Sequence, residues 1–269
     1  SVMALSKRGR TVRNVIYCAL VYLFLFLPIV VVVAGSFNAT ESRPYLTWKG
    51  FSFVWYQRLF DGSQAALVEA FGHTMLIALT STLLSTTIGT LVAVGMYRYR
   101  FRGKALIDAL LYVPVVIPEI VMGISLLVLF AQTKVPRGML TLVMAHTTFC
   151  IPFVVFNVRA RLAGYDVSVE EASLDLGANR IQTFWNVTVP VLAPGIGAGA
   201  LLAFTLSIDD VIISYFVNGK TSVFPLKVME SIKMGVPPSV NALSAILLLF
   251  TIVFVVLTQS DLLRRHARE

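Results

Sequence analysis

The sequence predicts an all-α, polytopic membrane protein with six transmembrane helices, and three observations carry that prediction. Hydrophobic residues make up 57% of the 269 positions and charged residues only 13%. Mean hydropathy is +0.80, well outside the range of soluble globular domains. The apolar residues gather into six runs long enough to cross a bilayer. The Lys and Arg residues divide unequally between the two sides that those runs define. That division accounts for the net charge of +8 without a nucleic-acid partner. Cys18 and Cys150 both fall in apolar runs, so neither a disulfide framework nor a metal cluster is indicated. His73, His146 and His266 are too scattered in sequence for a zinc motif.

The first run, about 15–37, follows Lys7, Arg8, Arg10 and Arg13. A secretory leader begins in the same way, and Ala34-Gly35-Ser36 has the look of a cleavage site. The run is too long for a leader's apolar core, and it is read as a retained helix. Residues 38–69 are mixed, with Trp48, Trp55 and Tyr56 suited to a membrane interface. Asn38-Ala39-Thr40 matches a glycosylation sequon. A second span covers about 70–97, and a basic turn from Arg98 to Lys104 follows it. The third span, about 105–131, contains Pro114 and Pro118. Lys134, Pro136 and Arg137 mark a short loop before the fourth span, about 139–158. The fifth and sixth spans are about 191–217 and 240–263, and a basic tail ends the chain.

Six crossings put both termini on one side. That side carries Lys7, Arg8, Arg10, Arg13, the basic turn, Arg159, Arg161, Arg180, Arg264, Arg265 and Arg268. The other carries Arg43, Lys49, Arg58, Lys134, Arg137, Lys220, Lys227 and Lys233. The richer side is cytoplasmic by the positive-inside rule, so the segment 159–190 is cytoplasmic too.

That segment is the one long stretch of the second half that cannot be a span. Ser168 with Glu171 and Asn179 with Gln182 have the spacing of two capping boxes. Gly177 stands where the first short helix must stop, and Pro190 opens the next apolar run. Ile181, Phe184, Trp185 and Thr188 recur at helical spacing, which gives an apolar face to a segment lying in water. Two readings are open: a loop folded against its own chain, or a docking surface for a cytoplasmic partner.

Four ionisable side chains fall well inside the runs: Glu119, Asp209, Asp210 and His146. A carboxylate at mid-membrane costs about 2.5–3.5 kcal/mol even on the mild insertion scale, so it normally faces a cavity or a partner. Glu119 lies about fourteen residues into its span and Asp209 about eighteen into one of the same direction, roughly 21 and 27 Å from the cytoplasmic edge. They form either a cation-accepting stretch of pathway, with Tyr112, Tyr215 and Phe216 nearby for cation–π contact, or a structural set in which Asp209-Asp210 caps a broken helix and Glu119, beside Pro118, bonds a freed amide. His146 is read as an interhelical hydrogen bonder. Gly219-Lys220-Thr221 ends like a phosphate-binding loop, but Ser214 holds the place of its first glycine. It is read as a turn after the fifth span, with no nucleotide role.

Glu171-Ala172-Ser173, then Gly177, then Val187-Thr188-Val189-Pro190 resembles the EAA motif of ABC importer permeases, EAA-x3-G-x9-I-x-L-P. Ser173, Val187 and Val189 depart from it conservatively. The segments 97–104, 146–150, 203–210 and 238–243 are similar to those of spermidine/putrescine importer permeases, nearest to the second of the two permease subunits. The resemblance implies a single permease domain over 1–269 with the type I importer fold. It implies a multi-pass location in a bacterial inner membrane, in contact with lipid. Glu171, Ala172, Ser173, Gly177, Phe184 and Pro190 would then couple to an ATPase. Glu119, Asp209, Asp210, Tyr112 and Tyr215 would line a polyamine pathway. Implied partners are a second, related permease, two copies of an ATPase that binds ATP and Mg, and an extracytoplasmic binding protein. No cofactor or catalytic residue is expected in this chain. Ferric iron or thiamine is the alternative cargo. An intramembrane hydrolase lacks any HExxH, GxSxG or paired-Asp signature, and a passive cation channel leaves the amphipathic loop unexplained.

Overall fold

The computed structural model describes residues 2–40 and 47–266. Arg43 and Arg268, counted above for orientation, lie outside those residues, as do the side chains of Lys7, Arg8, Arg10, Arg264, Arg265 and His266. The described residues are helical apart from loops and one antiparallel bridge between Asn38 and Phe51. By packing they divide into two compact units, Ser1–Ala65 with Ser231–Val253, and Ala66–Glu230 with Phe254–Glu269.

In the first unit, α1 (Val2–Ser36) carries the 24-residue apolar stretch Arg13–Ser36, none of which is buried within the chain before Gly35 and Ser36 at its end. Such an all-round apolar surface belongs in lipid. Beyond it the chain turns back through the Asn38–Phe51 bridge into α2 (Val54–Phe60). Phe37 stacks on Phe51 with ring centroids 5.0 Å apart. Trp55, expected at the membrane interface, is instead buried, and its indole N–H donates to the Asn38 carbonyl at 2.9 Å. Tyr56 pairs with Ser36 at 2.7 Å. Trp48 remains exposed.

The second unit is built around α6 (Met139–Leu162), whose Leu142, Ala145, Cys150, Val154, Val155 and Val158 are fully buried. α3 (Ala65–Arg98) and α9 (Val189–Asp209) close on it through glycines. A Cβ on Gly89 would lie 2.8 Å from Val154 Cβ, and one on Gly199 would lie 3.0 Å from Val154 Cα. Small residues of this kind let membrane helices approach backbone to backbone.

Two expected spans come out differently. The third is not one helix: α4 (Lys104–Val116) and α5 (Glu119–Gln132) meet at a bend of 113°. Pro118 drives Ile117 into an extended conformation, as the residue before a proline is driven. The fifth stops at Asp209, and 212–217 form a separate helix, α10 (Ile212–Val217), packed along α5. It also begins earlier than Pro190. A continuous helix runs from Arg180, through α8 (Arg180–Thr183) and a π turn (Phe184–Thr188), into α9. A wide turn just before Pro190 accommodates a residue that has no N–H to donate and a ring that crowds the preceding turn.

Among the described residues, four helices, in α1, α3, α6 and 180–209, are long and apolar enough to cross a membrane, and the α4–α5 pair makes a fifth candidate. Within α12 (Pro238–His266) the described apolar stretch, Pro238–Val253, is shorter. Gly219 adopts φ +57 in the turn after α10, against the backbone of Arg137. α11 (Phe224–Met234) follows.

Candidate functional site

The loop after α6 is a folded platform. Its first helix, α7 (Ser168–Asp175), is not capped by Ser168 as the sequence suggests. Ser168 is already helical, and its N–H is taken by Asp166 Oδ1 at 3.0 Å. The second box forms as read: Asn179 Oδ1 accepts from Ile181 N and Gln182 N, and Gln182 Oε1 accepts from Asn179 N at 2.9 Å. Gly177, between the two helices, sits at φ +90, where a side chain would strain the backbone.

The expected apolar face splits in two. Thr188 is buried and Phe184 packs against the core, whereas Ile181 and Trp185 are 71% and 61% exposed. Leu176, just before the glycine turn, is 89% exposed. Glu171 and Ala172 face solvent, Pro190 is exposed at the head of α9, and Ser173 hydrogen-bonds Thr183 at 3.1 Å. The loop therefore both folds against its own chain and presents a rim of large apolar side chains.

Glu170, which sequence reasoning passed over in favour of its neighbour, is the anchor. Its Oε1 accepts from Thr188 Oγ1 at 2.6 Å, from Tyr165 OH at 2.7 Å and from Arg98 Nη2. Arg98 Nη2 also donates to Thr188 Oγ1 at 2.8 Å. Burial acts to raise the Glu170 carboxyl, but these bonds and the Arg98 charge hold it below its ordinary value. Tyr165 is pushed up to about 12 by burial and by its bond to Glu170. A second unforeseen pair, Arg159 Nη1 with Asp108 Oδ1 at 2.6 Å, ties α6 to α4. Asp108 stands four residues into the expected third span and was missing from the inventory of membrane acids.

The three expected pathway acids part company. Glu119 and Asp209 are exposed, the first at the head of α5 beside the bend and the second at the end of α9. Glu119 lies within electrostatic reach of both Asp209 and Asp210. Asp210 is buried and accepts from Ile213 N and Ser214 N, so it caps α10 as the alternative reading had it. His146 bridges helices: Nδ1 pairs with Ser207 Oγ at 2.7 Å and Nε2 with Ser214 Oγ at 2.9 Å. Tyr112 and Tyr215 are both exposed, each against a phenylalanine ring, Phe156 and Phe216. Ser81, Ser207 and Ser214, hydroxyls inside apolar runs, were the sequence signal for this polar seam.

Residues 85–266, which include the whole platform and the acids, match the family described as binding-protein-dependent transport system inner membrane component. The chain belongs to that family. Membership makes it an inner-membrane permease of the ABC importer type. The spermidine/putrescine transport system permease protein PotC of Escherichia coli (strain K12) is 42% identical over 252 residues, 93% of this chain and 94% of that one. The putrescine transport system permease protein PotI of the same strain is 37% identical over 247 residues, 89% of this chain and 86% of its own. In fold, the permease resembles a chain of a bacterial ABC transporter involved in import of the acidic polysaccharide alginate. The TM-score there is 0.69 at 15% identity, over 96% of this chain and 97% of that one.

Proposed function

We propose that this permease forms half of the translocation pathway of a polyamine importer and takes its drive from an ATPase docked on the 159–190 loop. The loop carries the reading: exposed Leu176, Ile181 and Trp185 stand on a platform locked by Gly177 and the Asn179–Gln182 box. Large apolar side chains held rigidly in water are what a docking surface needs. The relatives' substrates, spermidine and putrescine, supply the cargo. The exposed carboxylates of Glu119 and Asp209 suit a polycation.

The topology proposed is six crossings, with α4–α5 as one broken crossing, α12 as the sixth, and both termini cytoplasmic by charge bias. The working complex holds a second, homologous permease, two ATPase copies that bind ATP and Mg, and an extracytoplasmic binding protein. Glu171, Ala172, Ser173, Gly177, Phe184 and Pro190 form or support the ATPase contact. Glu119, Asp209, Tyr112 and Tyr215 face the cargo, and Asp210 shapes the pathway from behind. This chain supplies no catalytic group.

The test is reconstitution of the full complex in liposomes with ATP on the cytoplasmic face and labelled spermidine outside. Uptake should require ATP and the binding protein together. Equal flux without ATP would make the chain a passive channel.

A further inference from the structure

α7 buries none of its side chains. A cleft of about 210 Å³, lined by Arg98, Tyr99, Glu170, Leu174, Arg180 and Thr183, lies beside it. A helix that must carry a pull into the membrane is thus not fixed there by apolar packing. What holds it is polar, and most of it converges on Glu170.

Three elements meet at that carboxylate. Arg98 is the last residue of α3, Thr188 ends the π turn that leads into α9, and Tyr165 lies just past α6. The set is closed, because Arg98 bonds Thr188 as well as Glu170. Glu170 is 13% exposed at its side chain and Arg98 is 26% exposed. Thr188 is fully buried. Successive residues on a helix point about 100° apart, so Glu170 turns inward where Glu171 turns outward. The two glutamates divide the work: one faces a partner, the other faces the chain's own helices.

We propose that Glu170 is the positioning residue through which motion of the docking platform reaches the membrane helices, by way of Arg98 on α3 and Thr188 at the head of α9. The inference rests on the importer reading and adds to it the route within the chain. A charged hydrogen bond shared among three donors is short and directional, and it resists displacement more than a single neutral bond does. A π turn has one loosely wound turn of spare length, so Thr188 stands where a helix can be tightened or released. Without the Glu170 bonds, the platform would still fold around Gly177 and Asn179 and still meet its partner, but its movement would be spent in the cleft.

The experiment compares Glu170→Gln, Glu170→Ala, Arg98→Met and Thr188→Val with the wild type in the reconstituted complex. Three readouts are taken: ATPase co-purified, ATP hydrolysed, and labelled spermidine taken up. Glu170→Ala and Arg98→Met should keep ATPase stoichiometry and hydrolysis but lose tenfold or more in uptake, so that the ATP spent per spermidine rises by the same factor. Glu170→Gln and Thr188→Val, which keep part of the set, should fall between. The exchange Glu170→Arg with Arg98→Glu should recover part of the loss. The proposal is overturned if the variants spend the wild-type amount of ATP per spermidine. It is equally overturned if uptake falls only in step with ATPase lost from the complex, or if the isosteric Glu170→Gln fails to assemble. A wild-type complex without ATP-driven uptake would instead overturn the importer reading itself.

Discussion

Asp210 Oδ2 lies 3.3 Å from Nε2 of His146, and both side chains are almost wholly shielded from solvent. The same oxygen accepts from Ser214 N at 2.7 Å, and the other accepts from Ile213 N at 3.2 Å. The carboxylate that composition marks as a cargo site is therefore occupied by the fold. Asp209, one residue earlier, is exposed. The two neighbours should respond oppositely to loss of charge. Asp210→Asn puts an amide N–H₂ among the buried N–H groups of Ile213 and Ser214 and weakens the cap, and leaving such a buried donor unsatisfied costs about 1–3 kcal/mol. It should appear as a lower melting temperature and poor assembly. Asp209→Asn should leave assembly intact and cut spermidine uptake tenfold or more, about 1.4 kcal/mol. Reversal of the two phenotypes would return the cargo role to Asp210.

Gly177→Val tests the platform's turn. No atom lies within 4 Å of the Cβ it would add, so any penalty comes from the backbone at φ +90. That conformation costs a side-chain-bearing residue about 1–2 kcal/mol, and more for a β-branched one. ATPase co-purification and coupled uptake should both fall while membrane insertion stays normal. Gly177→Asn, better tolerated in left-handed turns, should be milder. Wild-type docking by the valine variant would remove the turn from the docking surface.

Glu171→Lys should behave unlike any change at Glu170. Glu171 is exposed on α7, so its reversal leaves the fold alone and places the wrong sign in the ATPase contact. Docking affinity should drop about tenfold, which is about 1.4 kcal/mol, and the loss should shrink at high salt. A titration of purified ATPase onto the permease pair measures it. An unchanged affinity would place the contact elsewhere on the loop.

Two glycines of α3 make a matched pair. At Gly89 a Cβ would meet Val154 at 2.8 Å, whereas at Gly95 nothing lies within 4 Å. Gly89→Ala should destabilise the detergent-solubilised protein by about 1–3 kcal/mol through overpacking. Gly95→Ala should be neutral or slightly stabilising from helix propensity. Thermal unfolding distinguishes them, and equal melting temperatures would mean that α3 and α6 are not in close contact.

Acid should loosen the platform in one direction only. Glu170 titrates below its ordinary 4.5 in the folded chain, so its stabilisation is complete above that value. It is lost as pH falls through the lower folded value. The stability gap between wild type and Glu170→Gln, read as melting temperature, should be constant near neutrality and should close in acid. A gap that widens on acidification would mean that the protonated form carries the bonds.

The membrane class, the approximate runs and the folded 159–190 loop were legible because each depends on residues close together in sequence. The Asn179–Gln182 box spans three residues, and the Gly177 turn depends on one backbone angle. Hydropathy alone placed α1, α3 and α6. It failed at 105–131 and 191–217, where composition stays apolar through a bend at Pro118 and a break at Asp209–Asp210. Hydropathy averages over a window and does not register a change of direction. Ser168 misled because it stands one position too late, already inside the helix, and Asp166 had already taken its N–H.

The sequence by itself determined that this chain lives in a membrane, that a long polar loop interrupts its spans, and that an EAA-like motif sits there. Those are matters of composition and short-range order, and residues within a few positions of one another decide them. Only the tertiary structure decided which of two adjacent glutamates is bonded and which is free to face a partner. The same holds for two adjacent aspartates. Glu170 finds Arg98 across 72 positions, and His146 reaches Ser214 beside Asp210 across 68. Whether a charge binds cargo, docks a partner or holds helices together depends on what packs against it, and that is settled only when distant segments of the chain meet.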